Sequence, residues 1–174
     1  MIGLPGYWQD DTIAEDADSG LLPGIEEFER TISMNNEKEG EVAAAFSPDG
    51  RLMCFFAGFS ALMVDETECP TVRGSILTHN HISDTAFSMH DIKEASELGL
   101  TELRVVGPSG WHSMKPGPEG WPSPVEISSA YARISSEVAS LPGEGSMREN
   151  SILICERLAD ELGLIYEGGA FDVP

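Results

Sequence analysis

Apolar positions occur along the chain in short blocks separated by turn residues, and their spacing changes from block to block. In PGIEEFERTISMNN, from Pro23, proline stands at a helix start, acids fill the first turn, and Ile25, Phe28 and Ile32 share one face. This predicts a short helix ending near Asn35. In EVAAAFSPDGRLMCFFAG two apolar runs flank SPDG, whose proline and glycine suit a tight turn, so the segment reads as a hairpin. The runs ALMVDE and GSILTH add two further strands. A polar stretch, NHISDT, then leads into SMHDIKEASELG, where Ile92, Ala95 and Leu98 recur at helical spacing and Gly99 supplies a stop.

TELRVVG and WHSMK, joined by PSG, predict another strand pair. KPGPEGWPSP is too rich in proline and glycine for regular structure. Helices follow in VEISSAYARISSEVAS and in MRENSILICERLADELG, where Ile152, Cys155, Leu158 and Leu162 form an apolar stripe, and LIYE is a last strand. The expected organisation is an irregular arm over 1–22, a domain over 23–115, a linker over 116–124 and a helical C-terminal extension over 125–174. The fold class is α+β.

A length of 174 residues suits one domain with an appended part. Charge narrows the function: 30 Asp+Glu against 10 Lys+Arg leave a formal charge of −20. That excludes direct nucleic-acid binding, which needs a basic footprint to displace counterions, and disfavours an anionic membrane surface. The acids are spread along the chain, as on a solvated surface; adaptation to high salt and mimicry of nucleic-acid charge remain open. With no membrane-length apolar run and no basic, apolar leader at the N-terminus, the expectation is a soluble cytoplasmic protein. The three cysteines are odd in number and lack CxxC spacing, so neither a disulfide framework nor a zinc ribbon is expected. Cys54 and Cys155 read as small core residues.

The candidate chemistry lies in GSILTHNHISDTAFSMHD. If GSIL is a strand, His79 and His81 project from one face at its carboxyl end, and Asp91, in the first turn of the next helix, can fold back as a third ligand. Two imidazoles and a carboxylate suit a catalytic zinc with an open position. Ser88 and Asp91 also form an S-x-x-D capping box, which accounts for both residues without a metal. His90 points about 100° from Asp91 around the helix and reads as exposed. His112 reads as half-exposed on a strand, and Trp111 and Trp121, on either side of the proline-rich break, as packing residues.

GSILTHNHISDTAFSMHDI resembles the signature of the JAB/MPN (JAMM) metalloprotease superfamily, in which HxH, a short loop and SxxD follow a buried strand. It is most similar to RadC-like and phage-associated members, and the ending RLADELGLIYE resembles tails of phage-associated relatives. EVAAAFSPDGRLMCFFAGF is similar to the family's glutamate, strand, D-G turn, strand and glycine, and the matching stretch runs over about residues 39–115. The resemblance implies a JAB/MPN-like (cytidine-deaminase-like) mixed sheet flanked by helices, with zinc (Zn2+) on His79, His81 and Asp91 and a water in the fourth position. Glu41 would act on that water, and Ser88 would donate to the oxyanion. The implied reaction is hydrolysis of an amide, peptide or isopeptide bond, with a protein or peptide substrate; the acidic charge of the chain favours a basic one. A non-catalytic binding or anti-defence protein of phage type is the alternative. Ile82 stands where many members carry proline, and the gap from the histidines to SxxD is one residue shorter than in the peptidase form. These departures bear on loop shape and substrate preference.

Overall fold

The computed structural model describes residues 23–34, 40–59, 69–143 and 145–171. The expected N-terminal arm and the strand in ALMVDE lie outside the described residues. The elements run α1 (Pro23–Met34), β1 (Glu41–Phe46), β2 (Leu52–Phe59), β3 (Ile76–Asn80), α2 (Met89–Leu98), β4 (Glu102–Gly107), β5 (Gly110–Lys115), α3 (Pro124–Ala139), α4 (Met147–Leu162) and β6 (Ile165–Gly169). The result is a mixed α+β fold whose strands form one six-stranded sheet in the order β2-β1-β3-β4-β5-β6.

Each junction follows from local chemistry. The β1–β2 turn closes with Gly50 N–H donating to Ser47 O at 2.8 Å, and Gly50 takes the positive φ of 84° that the turn requires. β1 pairs antiparallel with both β2 and β3, whereas β3 and β4 are parallel. A parallel pair needs a crossover, and α2 supplies it. α2, α3 and α4 begin at Ser88, Ser123 and Ser146, each a capping box closed by an acid three residues later.

Strands β3 and β4 are buried along their whole length because helices cover both faces. On one face α1 sets Ile25, Phe28 and Ile32 against Ala44, Phe46, Ile76 and Val106. On the other, α2, α3 and α4 pack Ile92, Ile127, Ile134, Cys155 and Leu158 against Leu77, Leu103, Val105 and Met114. Burying each large aliphatic side chain contributes about 1.5–3 kcal/mol, so both layers are held by the hydrophobic effect. The segment 116–124 carries one isolated bridge, Gly117 to Gly120, and the chain beyond it joins the same core as the central strands. β6 extends the sheet by pairing with β5.

Two expectations from the sequence need correction. Cys54, on β2, forms a disulfide with Cys69, their Cα atoms 6.0 Å apart, while Cys155 is a buried free thiol. An odd cysteine count says nothing about which pair the fold brings together. His112 is 7% exposed rather than half-exposed, because β6 covers it: His112 pairs with Gly168, and the Tyr166 ring stacks on the imidazole. Trp121 meets the packing expectation, its Nε1–H donating to Leu100 O at 2.7 Å.

Candidate metal centre

Alternation along β3 decides which side chains meet. Ile76 lies in the α1 layer and Leu77 in the opposite one, so His79, two residues beyond Leu77, points toward α2, α3 and α4. His79 is fully buried and pairs across the sheet with Ala43. Glu41, at the start of β1 two residues before Ala43, lies within the electrostatic reach of His81, His79 and Asp91. His81 lies just past β3, where its backbone N–H donates to Val106 O at 2.9 Å. The site therefore forms at the carboxyl end of the parallel β3–β4 pair, where the chain leaves the sheet to enter α2.

Three ligand atoms converge there. Nε2 of His79 and Nε2 of His81 are 3.1 Å apart. Asp91 Oδ1 is 3.8 Å from His79 Nε2, and Asp91 Oδ2 is 3.4 Å from His81 Nε2. Bond lengths of about 2.0–2.2 Å in a tetrahedral site put ligand atoms about 3.3–3.6 Å apart, so the triangle is close in size to one face of such a site. His81 Nδ1 is 3.1 Å from Thr85 O, so its N–H donates there and Nε2 keeps its lone pair for a cation. The three residues are buried and can hold a metal ion.

Asp91 serves two purposes at once. Its Oδ2 accepts the Ser88 backbone N–H at 2.7 Å, and its own N–H donates to Ser88 Oγ at 3.2 Å, which completes the cap of α2. The corresponding acids of α3 and α4, Glu126 and Glu149, belong to exposed caps, whereas Asp91 is 3% exposed and faces two imidazoles. Capping and ligation are therefore not alternatives here. The cap fixes the orientation in which Asp91 meets the histidines.

The electrostatics follow from burial and these contacts. Burial would raise Asp91, but the imidazoles of His79 and His81 overcome it and hold the carboxyl far below its usual range. Burial would lower His81, but Asp91 first, then Glu41, keep it above its ordinary value. Glu41 is raised, chiefly by its own burial, with His81 and His79 pulling the other way. It is not part of the group that can hold a metal, yet it lies within the field of His81, His79 and Asp91. Ser88 is exposed at the N-terminus of α2, beside Asp91, and His90 is exposed as expected.

Sequence reading missed the residues that support these ligands. Thr85 receives the His81 ring through both its carbonyl and its hydroxyl oxygen, at 3.1 and 3.2 Å. His112 lies on the same face, two strands across from His79 through Val105, with Nδ1 2.8 Å from Tyr166 Oη. Burial first, and then Arg148, push His112 down to about 4, so it is neutral at pH 7. Nothing in the pattern of WHSMK signals this, because its cover comes from a strand more than fifty residues later.

No family model matches the chain, and no curated protein or solved structure matches it. Among the described residues no helix is long and apolar enough to cross a membrane.

Proposed function

We propose that the protein is a zinc-dependent hydrolase of amide bonds, peptide or isopeptide, of the JAB/MPN (JAMM) type. The observation that carries this reading is the convergence of His79 Nε2, His81 Nε2 and an Asp91 carboxylate in a buried site, with Glu41 inside their field but outside the ligand set. Zinc suits two imidazoles and a carboxylate, and when bound it supplies Lewis acidity that makes water a usable nucleophile near neutral pH. Glu41, raised by burial, takes a proton at its carboxylate and returns it to the leaving amine. Ser88 Oγ accepts the Asp91 N–H, which leaves its own O–H to donate to a developing oxyanion. The acidic chain favours a neutral or basic peptide as substrate.

The test is elemental analysis of the purified protein beside His79→Ala and Asp91→Ala, followed by a peptidase assay on wild type and Glu41→Gln. Near-stoichiometric zinc in wild type, absent from both ligand variants, with hydrolysis lost in Glu41→Gln, is the expected result. A wild type without zinc defeats the reading. The charge of −20 favours one other reading, a binding or anti-defence protein of phage type whose acidic surface engages a basic partner. Full zinc occupancy with no hydrolysis that depends on Glu41 would select it.

A further inference from the structure

The loop between the second histidine and Asp91 is held from outside the histidine–aspartate string. Asp84 is the one non-glycine residue with positive φ, 55°, among the described residues. Its backbone N–H turns back to His81 O at 3.2 Å, and its Oδ1 accepts the Ser109 N–H, from the β4–β5 turn, at 3.0 Å. Its Oδ2 lies 3.3 Å from Arg148 Nε in α4, an ion-pair contact rather than a directed hydrogen bond. The approach to β4 is possible only because residue 107 is glycine: a Cβ there would collide with Asp84 Oδ1 and stand 3.1 Å from its Cα.

Helix α4 then follows the loop almost residue by residue. Arg148 meets Asp84, Ser151 Oγ accepts the Ala86 N–H at 2.9 Å, and Cys155 Sγ lies 3.6 Å from Phe87 O. Positions 148, 151 and 155 share one helical face. Thr85, which orients the His81 ring, sits between the first two of these anchors.

We propose that Asp84 is a positioning residue for the metal centre, and that Arg148, through it, sets the affinity for the metal. The inference rests on the metal reading above. In a chain with 10 basic residues against 30 acidic ones, a cation beside a cation-binding loop runs against simple electrostatics. By charge alone Arg148 weakens metal binding; by holding Asp84, and so Thr85 and the His81 ring, it strengthens it. The sign of the effect on removing Arg148 therefore separates positioning from field.

The experiment measures zinc affinity of the full chain by competition with a chromophoric chelator, beside thermal unfolding of the metal-free protein. Arg148→Met and Asp84→Ala are expected to weaken zinc binding about 10–100-fold. The double variant should bind no more weakly than the weaker single one, and Arg148→Lys should recover most of the loss. Asp84→Gly keeps the backbone conformation while removing the carboxylate, so it reports the same loss if Asp84→Ala does not fold. Arg148→Met binding zinc as tightly as wild type, or more tightly, overturns the proposal, whatever the change in metal-free unfolding temperature. A wild type that binds no zinc at all overturns the metal reading, and this inference with it.

Discussion

Two buried charged clusters lie on opposite faces of the same sheet, and they differ in how their hydrogen bonds close. Under α1, Arg104 donates through Nε to Glu29 Oε1 at 2.6 Å, through Nη2 to Glu29 Oε2 at 3.1 Å and through Nη1 to Glu102 Oε1 at 2.6 Å. Thr78 adds a bond to Glu29 at 2.7 Å and Ser113 one to Glu102 at 2.6 Å, while the guanidinium lies 5.0 Å from the centre of the Trp111 ring. Donors there face acceptors. On the α2–α4 face, two imidazole nitrogens and a carboxylate converge as a group that can hold a metal ion, and His79 Nδ1 is buried with no hydrogen-bond partner among the described residues. A cluster that satisfies itself anchors the fold; one that gathers potential ligands and leaves a buried nitrogen unpartnered has room for a cation's chemistry.

This contrast can be broken most forcefully at Arg104. Arg104→Ala leaves Glu29 buried without its cationic partner and Glu102 with only the partly exposed Lys115 at 3.6 Å, and is expected to cost about 3–5 kcal/mol in urea unfolding. Replacing Glu29, Arg104 and Glu102 together by apolar residues should recover most of that. A cost below about 1 kcal/mol for Arg104→Ala would show that the cluster is no anchor. On the other face, His79→Leu should weaken zinc binding at least about 100-fold, or about 2.7 kcal/mol. The metal-free protein should be no less stable than wild type, since a buried, unpartnered nitrogen is removed. A metal-free loss as large as that of Arg104→Ala would erase the difference between the clusters.

His112 sharpens the same comparison by pH. Its folded value of about 4 lies below the ordinary 6.5, so between these values the unfolded chain binds more protons. Stability contributed by neutral His112 is complete above pH 6.5 and is lost as the pH falls through 4, by about 3 kcal/mol. Urea midpoints for wild type and His112→Phe over this range should diverge by that amount, and parallel curves would refute it. The smallest effect belongs to Ser88: Ser88→Ala removes the cap of α2 at a cost of about 1 kcal/mol. It should reduce zinc affinity less than His79→Leu, because the Ser88 backbone N–H still holds Asp91. An equal reduction would mean that the hydroxyl, not the backbone, positions the carboxylate.

Much of the fold was legible because its signals are local. Pro23 with its acidic first turn, the SPDG turn, and Gly99 in the left-handed conformation after α2 act over a few residues, and each stands where it was read. The three candidate ligands were legible for the same reason: alternation on β3 puts His79 on the face of Leu77, and one capping box brings Asp91 back beside them. Glu41 was placed by resemblance, and the pairing of β1 with β3 brings the start of β1 near the histidines, whose field Glu41 shares.

What escaped the sequence were contacts between distant segments. Glu29 and Arg104, or Cys54 and Cys69, carry no mark of their pairing, and His112 looks half-exposed until β6 covers it. The splint of Arg148, Ser151 and Cys155 along the metal loop is likewise invisible in a helix whose apolar stripe reads as ordinary core. Short-range sterics and periodicity determined the elements, the ligand triad and the acidic surface. Only the tertiary structure decided which face of the sheet each strand shows to which helix, and therefore which buried charges satisfy one another and which converge as a group that can hold a metal ion.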